Sequence, residues 1–242
     1  KGKIQEAKEC FSFLGESNEL CLGMSRNKPS GKGMGPSDAD KIFKSLIDSK
    51  AYQTGLMEDI EDFRIFVPNV DKDKVSDMAA NIIRKHLIIY TQEQCTLWGI
   101  PLQEGVPSGY FWNKELREWI NEYTRMLIAD GKKIILVPKR LVSYSKEYTD
   151  EKYMQHYVLN FLQSEHLRLQ SSIVRERVKS KEQYVTKKDA RAIEESEGRV
   201  DKKWLAAFTL EHPEVFAEFK KKSISRITAI SNQDLDGISL KD

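Results

Sequence analysis

Hydrophobic positions recur at helical spacing over most of the chain. Tyr153, Tyr157 and Phe161 share one face of a helix predicted over 150–178, and a similar pattern predicts a helix over 4–16. Apolar residues with helical spacing favour helices packed on a common core. The pattern therefore predicts a protein in which helix dominates.

A strand is predicted only where β-branched residues are concentrated. The run after Gly131 predicts a strand near 133–143, interrupted by Pro138, which favours a strand end or an edge position. The preceding stretch, 110–130, carries Trp112 and Trp119 and is expected to be helical. We therefore predict an α+β fold, helix-dominated, with a small sheet that includes the strand near 133–143.

The segment PLQEGVPSG at 101–109 contains two prolines and two glycines, a composition typical of a linker. It predicts a division of the chain into a helical N-terminal region, 1–100, and an α+β C-terminal region, 110–225. The last residues, 226–242, lack strong periodicity and are expected to form a tail.

The chain shows one internal echo, between residues 33–46 and 69–82 at an offset of 36. Each copy places a turn before a helix, as in helix-hairpin-helix motifs, where backbone N–H groups at the helix start bind a DNA phosphate. The first copy predicts phosphate contacts from Lys32, Gly33 and Gly35. In the second copy Asp71 would repel a phosphate. A single anion-binding loop and ordinary turn chemistry are the alternatives.

The charge of the whole chain is nearly balanced. The 242 residues include 39 basic and 37 acidic side chains, which excludes a strongly basic nucleic-acid coat or an acidic tail as a description of the whole chain. Basic residues are instead concentrated locally, with eight of them against three acids between Arg168 and Arg191. Such a patch favours binding of phosphate backbones, and an acidic protein partner or solvent is the alternative.

Two basic clusters supply the candidate contacts to nucleic acid. The cluster within 168–191 contributes Arg175, Arg177, Lys179, Lys181, Lys187 and Lys188. The cluster that flanks the predicted strand contributes Lys132, Lys133 and Arg140. Tyr184 adds one aromatic ring on which a base can stack.

The acidic residues suggest a metal-dependent nuclease as one hypothesis. Glu58, Glu61 and Asp77 belong to the most acidic part of the chain, and carboxylates are ligands that Mg²⁺ prefers. In this hypothesis Asp77 is the catalytic acid, Mg²⁺ activates water, and Lys139 stabilises the developing charge. Val137 stands where the strand acid of such nucleases is expected, so acidic helix faces in solvent remain the alternative.

The chain carries three cysteines whose spacing suits neither a zinc site nor a disulfide framework. Thiols in a reducing compartment are the simplest explanation, so we expect a cytoplasmic protein. No apolar run approaches the roughly 18 residues that span a bilayer, so no membrane partner is expected. The chain begins without Met, and we expect a fragment or a processed form.

The run TGLMEDIEDFRIFVPNVDKDKVSDMAANIIRKHLIIYTQEQC, followed by GKKIILVPKRLV, carries a resemblance to a family. It resembles a group of uncharacterised bacterial proteins found with anti-phage and restriction-type defence systems, over roughly residues 10–220. That group reads GIG around Asn69–Asp71, and this chain departs from the pattern there. The resemblance implies a bacterial protein acting in genome defence and assigns no catalytic residue.

Two classes of function remain open at this point. One is a protein that interacts with nucleic acid, as a metal-dependent nuclease if it is an enzyme. The other is a non-catalytic helical sensor or scaffold subunit of a defence complex, which acts through contacts with protein partners. The position of Asp77, Lys139 and the acids at 58–62 distinguishes the two classes.

Overall fold

The chain forms two compact units, each assembled from separate segments. The computed structural model describes residues 2–20, 36–143, 147–198, 200–227 and 231. The first unit takes the described residues of Lys1–Lys44 and Asp71–Tyr144, and the second takes those of Ser45–Val70 and Ser145–Ile227. Helix outweighs strand by 54% to 12%, which confirms the helix-dominated α+β class.

Helices alternate with groups of short strands along the chain. The helices are α1 (Gly2–Glu9), α2 (Pro36–Ile47), α3 (Lys50–Gln53), α4 (Phe63–Phe66), α5 (Lys72–Ile82), α6 (Arg84–Trp98), α7 (Asp150–Tyr153), α8 (Leu159–Arg168), α9 (Lys187–Glu197), α10 (Lys202–Glu211) and α11 (Pro213–Ser225). A π-helical turn, Met154–Val158, joins α7 to α8, and single 3-10 turns lie at Asn18–Leu20, Ile60–Asp62 and Lys139–Leu141. The strands are β1 (Gln103–Pro107), β2 (Phe111–Asn113), β3 (Glu118–Ile120), β4 (Tyr123–Ala129), β5 (Lys132–Ile134), β6 (Arg175–Glu176) and β7 (Gln183–Tyr184).

Local sequence signals set several helix ends. The Asp71 carboxylate accepts a hydrogen bond from Lys74 N at 3.0 Å and caps α5. Thr186 caps α9 and Asp201 caps α10 in the same way. At the end of α6, Gly99 takes the left-handed conformation, φ 63°, which glycine adopts without strain. Each cap satisfies backbone groups that have no partner within their helix.

In the first unit, α6 packs against a three-stranded antiparallel sheet of order β1-β4-β5. Side chains from these two layers and from neighbouring segments meet in one buried cluster, made of Leu20, Ala80, Leu87, Ile88, Met126 and Ile135. The segment expected to be a linker, 101–109, contains β1, which pairs with β4. The linker prediction was therefore wrong, because the glycines and prolines lie in and beside an irregular strand.

The helix expected over 110–130 is instead replaced by strands β2, β3 and β4, of which β2 and β3 pair with each other in a separate hairpin. Trp112 and Trp119 face each other across the β2–β3 hairpin, with ring centroids 5.5 Å apart. A spacing of seven residues fits two helical turns, but it also fits a hairpin with a four-residue loop. Asp130 and Gly131, both at positive φ, then form the two-residue turn between β4 and β5.

Two other predicted elements are shorter in the structure. Strand β5 covers only 132–134, because the next amides bond elsewhere: Ile135 N donates to Glu19 O and Leu136 N to Thr91 Oγ1. The helix predicted over 150–178 ends at Arg168, and the chain then enters β6.

A buried arginine connects three segments of the first unit. Arg84, 3% exposed, donates from Nε to Ser108 O at 2.8 Å, from Nη1 to Ser17 Oγ at 3.1 Å and from Nη2 to Glu19 Oε1 at 3.0 Å. Ser17 in turn donates to Asn81 Oδ1 at 3.0 Å. This network joins the chain around 17–19 and the β1–β2 connection to the start of α6.

The second unit is built around aromatic side chains. Its buried cluster joins α4, the helical stretch 150–168, α10 and α11, and includes Phe66, Tyr153, Phe208, Phe216 and Phe219. Tyr153 is fully buried, and its hydroxyl lies 2.8 Å from Thr209 Oγ1. The partner on Thr209 removes the cost of burying that hydroxyl.

Lys202 donates hydrogen bonds to carbonyl groups of α4 and of the residues that follow it. Its ammonium donates to Arg64 O, to Val70 O at 2.8 Å and to Val67 O at 3.3 Å. A cation at a helix C-terminus is favoured by the helix dipole and by the unpaired carbonyls there. Lys202 therefore fixes residues 64–70 against the start of α10.

Replacement of Gly109 should disturb the arginine network. Gly109 has φ +75°, and an added Cβ would lie 2.6 Å from Arg84 Nη2, whereas Gly105 has φ +69° and open space around it. We expect Gly105→Ala to cost about 1–2 kcal/mol from backbone strain. Gly109→Ala should cost about 2 kcal/mol more, because a charged hydrogen bond is broken. Urea unfolding of both variants measures the difference, and equal losses would contradict the role of Arg84.

Loss of the Lys202 ammonium should leave buried carbonyls without a donor. We expect Lys202→Met, which retains an unbranched apolar side chain, to lower the free energy of unfolding by about 2 kcal/mol. The neighbouring exposed Lys203 supplies the matched control, Lys203→Met, which should change stability by less than about 0.5 kcal/mol. Chemical denaturation tests both, and a neutral Lys202→Met would contradict the assignment.

Candidate nucleic-acid interface

The basic segment of the second unit folds into an exposed two-stranded arm. Strands β6 and β7 pair antiparallel, with Arg175 opposite Tyr184. They are joined by a turn in which Arg177 N donates to Glu182 O and Lys181 N donates to Arg177 O, and every residue over 175–183 is exposed. We call residues 175–184 the basic ribbon.

One face of the basic ribbon combines two arginines and a tyrosine. The Arg177 guanidinium lies 5.5 Å from the centroid of the Tyr184 ring, a cation–π contact. Arg175 pairs with Asp189 of α9 at 2.8 Å, which ties the base of the ribbon to the following helix. This face is held in a defined arrangement although it lies in solvent.

The basic ribbon retains an excess of positive charge after its internal ion pairs are formed. It has four basic and two acidic residues. Arg177 pairs with Glu182 at 3.4 Å and Lys181 with Glu176 at 3.2 Å. Exposed pairs of this kind contribute only about 0–1 kcal/mol, so a phosphate can compete for the same cations.

The structure separates the other predicted contacts in this cluster. Lys188 is exposed in the first turn of α9. Lys187 donates from Nζ to Gln155 O of the π-helical turn, so it also fastens α9 to that turn. Lys179 and Lys181 lie in the turn of the basic ribbon.

The second predicted basic cluster lies in the first unit. Lys132 is exposed in β5, and Arg140 is exposed in a 3-10 turn. Lys133 is half-buried, pairs with Glu19 at 3.1 Å and donates to Pro107 O at 3.0 Å. Lys133 therefore has a structural role, because it fastens β5 to residues 19 and 107.

The internal echo is visible in the spacing of the two helix starts. The two copies differ in charge, because Asp71 aligns with Gly35. Helices α2 and α5 begin at Pro36 and Lys72, at the predicted offset of 36. Asn69, which aligns with Gly33 in the echo, takes φ 60°, a left-handed conformation that glycine adopts without strain. Lys32, Gly33 and Gly35 lie outside the described residues, so the first copy stays a prediction.

The acids at 58–62 surround a lysine. Lys220 Nζ lies 2.9 Å from Asp59, 3.2 Å from Asp62 and 3.3 Å from Glu58, and Glu61 pairs with Arg64 at 3.0 Å. Asp62 is fully buried and also accepts hydrogen bonds from the backbone of 58 and 59 and from the Tyr148 hydroxyl. These contacts give the acidic segment a structural cation, and nothing in the local sequence identifies Lys220 as that partner.

Asp77 lies on α5 of the first unit, whereas Glu58 and Glu61 belong to the second. Burial, followed by the charges of Glu16, Asp73 and Asp71, raises the pKa of Asp77 from its ordinary 3.8 to about 6. A lysine in contact with the Asp77 carboxylate would lower this pKa instead. Lys139, the predicted partner, is exposed in a 3-10 turn and does not lie on a strand. Across the described ranges, no three His, Cys, Asp or Glu side chains are grouped as metal ligands.

Neutralising Asp77 should stabilise the protein near neutral pH. Between pH 3.8 and about 6 the folded protein retains a proton that the unfolded chain has lost, so stability falls as the pH rises. We expect Asp77→Asn to raise the free energy of unfolding by about 1 kcal/mol above that range, with a smaller gain below it. Unfolding measured across a pH series tests this, with Asp48→Asn at an exposed position as the control. A loss of stability in Asp77→Asn would contradict the repulsion between Asp77 and its acidic neighbours.

Two further findings concern the cysteines and the helices that the structure describes. Cys95 is buried and Cys10 half-buried, and both are free thiols. Among the described helices, none has the length together with the apolar character that crossing a bilayer requires.

Comparison with known proteins identifies a family without assigning a function. No curated protein matches the chain, and no solved structure matches it either. One family model, described as a domain of unknown function (DUF8370), matches residues 1–150, which include almost all of the first unit that the structure describes. The chain therefore belongs to the DUF8370 family.

Proposed function

We propose that this protein binds nucleic acid through the basic ribbon. The observation that supports the proposal is an exposed two-stranded β-ribbon with four basic side chains in a chain of nearly balanced charge. Lysine and arginine neutralise backbone phosphates and release condensed counterions. A two-stranded ribbon also has a width that the major groove of B-DNA admits.

Duplex nucleic acid fits the basic ribbon better than a single strand does. Single-strand binding relies on aromatic rings that are open to base stacking. Tyr184 is half-buried, and the Arg177 guanidinium lies over its ring. The four cations at 175–181 are exposed, and they suit phosphates along a groove.

The proposal favours binding without cleavage by this chain. Lys220 already pairs with three acids of the segment proposed to bind Mg²⁺, and Asp77 is repelled by its own neighbours. A non-catalytic sensor or scaffold subunit of a bacterial defence complex, with a protein partner that performs the chemistry, is consistent with this arrangement. The defence context comes from the sequence resemblance and is part of the proposal.

Removing the charges in the turn of the basic ribbon should weaken binding. We expect Lys179→Gln with Lys181→Asn to raise the Kd for duplex DNA about tenfold at low salt. The slope of log K against log salt concentration should become shallower by about 0.9 for each phosphate that is no longer neutralised. Asparagine is chosen at 181 because Lys181 has φ 55°. Fluorescence anisotropy with labelled duplex and single-stranded DNA and RNA over a salt series measures the effect.

The β2–β3 hairpin supplies a matched control. Lys114→Gln with Arg117→Asn removes the same charge from another hairpin loop, where Arg117 has φ 54°. Equal weakening by the two double variants would show a nonspecific charge effect and contradict the basic ribbon as the site. Absence of salt-sensitive binding by the wild-type protein would contradict nucleic-acid binding altogether.

A cleavage arm tests the nuclease hypothesis separately. The same nucleic acids are incubated with Mg²⁺ or with EDTA. We expect binding without cleavage. Mg²⁺-dependent cleavage that Asp77→Ala abolishes would overturn the non-catalytic proposal and restore Asp77 as a catalytic acid.

A further inference from the structure

The second unit contains a groove that the basic ribbon does not use. It encloses about 530 Å³ between the helical stretch 150–168 and α11. Most of its lining residues come from these two elements, and Glu147 and Arg226, which lie just outside them, complete the lining. The volume is in the range of sites for small molecules and cofactors, which is roughly 300–1,000 Å³.

The wall of the groove includes the π-helical turn, Met154–Val158. Turns of this kind are rare and occur frequently at functional sites. Here two consecutive residues, His156 and Tyr157, both line the groove, and one turn later Asn160 and Phe161 do the same. The helix thereby presents polar and aromatic groups side by side along one face.

One end of the groove is cationic. Lys152, Lys222 and Arg226 line it together with two carboxylates, so the cations outnumber the acids. Glu147 pairs with Lys152 and lies 3.4 Å from Arg226, while Glu218 pairs with Lys222 on the same helix. Lys222, Glu218 and Arg226 are exposed, whereas Glu147 and Lys152 are half-buried. These pairs hold the cations in position, and a doubly charged phosphate can compete for the exposed cations.

The other end combines an aromatic ring with hydrogen-bonding groups. Phe161 is half-buried and packs against His212, with ring centroids 4.4 Å apart. Asn160 donates to His156 O, which leaves its carbonyl oxygen as an acceptor beside the ring. Asn160 and Lys152 are eight residues apart, about 12 Å along a helix axis. An aromatic ring and an amide at this distance from a cationic end match a planar base joined through a sugar to a phosphate.

We propose that this groove binds a nucleoside monophosphate. The phosphate contacts Lys222 and Arg226, and the base lies against Phe161 with Asn160 at its edge. The assignment goes beyond the proposed function, since it concerns a separate surface and requires no binding by the basic ribbon.

The bound moiety has two potential sources with the same chemistry. It is either a free mononucleotide or the phosphorylated end of a nucleic-acid strand. Strand β7 and helix α9 pack against α8, so the basic ribbon and the groove are built on the same helical stretch. The experiment therefore includes both sources.

The first arm titrates the full chain with AMP, GMP, CMP and UMP and follows binding by calorimetry. Adenosine and ribose 5-phosphate serve as truncated probes. We expect at least one mononucleotide to bind more tightly than either truncated probe, because the two ends of the groove act together. Lys222→Ala should weaken that binding about tenfold. Lys221→Ala removes the same charge from the adjacent exposed position, which does not line the groove, and should leave binding unchanged.

A second variant tests the base end. Asn160→Ala, at an exposed helix position, should weaken binding of AMP or another preferred mononucleotide and leave ribose 5-phosphate unaffected. No binding of any mononucleotide at millimolar concentration would overturn the proposal. Equal losses in Lys221→Ala and Lys222→Ala would also overturn it, since binding would then reflect general charge.

The remaining arm distinguishes the source and separates this proposal from the proposed function. Oligonucleotides with a 5′-phosphate, a 3′-phosphate or neither are compared in wild-type protein and in Lys222→Ala. A Lys222-dependent preference for a phosphorylated end supports the strand end as ligand, and tight binding of the free nucleotide alone supports the mononucleotide. The Lys179→Gln, Lys181→Asn variant should bind mononucleotides as the wild type does, so failure of the basic ribbon leaves this result intact.

Discussion

The first unit depends on the burial of one permanently charged side chain. A guanidinium stays protonated at any relevant pH, so a buried arginine requires a full set of acceptors. Arg84 finds them on Ser17, Glu19 and Ser108, which belong to two segments outside α6. Leaving such a charge unpaired costs several kcal/mol, so the acceptors must stay where they are. The requirement for glycine at 109 and the position of Glu19 beside Lys133 both follow from this one group.

The sequence predicted the fold class and several helices, because apolar periodicity and capping residues act locally. It failed over 110–130, where the spacing of Trp112 and Trp119 fits a helix and a hairpin equally well. The Asp130–Gly131 pair, which directly follows the apolar run 126–129, was the signal for a hairpin that the helical interpretation missed. Strand β5 ends early for a different reason: its next amides bond to residues 19 and 91, and no local pattern contains such partners.

The candidate interface was predicted in composition but not in arrangement. A concentration of basic residues over 168–191 is visible in the sequence, and the ribbon that displays four of them is not. The folded structure gives the lysines different roles, which their sequence context does not distinguish. Lys179 and Lys181 are exposed, whereas Lys133 and Lys202 donate to backbone carbonyls within the fold. The pairing of Lys220 with acids about 160 residues earlier is equally invisible, because it depends on tertiary packing alone.

The division of the chain into interleaved segments has a consequence for the family. The matched region, 1–150, includes Ser45–Val70 but stops before almost all the rest of the second unit. Ile65 and Phe66 are almost completely buried within that region, and the cluster that covers them draws most of its members from beyond residue 150. A relative that shares only the matched region must cover these two positions with a different C-terminal part or with another chain. The matched region thus supplies only part of the apolar core of the second unit, and in this chain the rest comes from beyond residue 150.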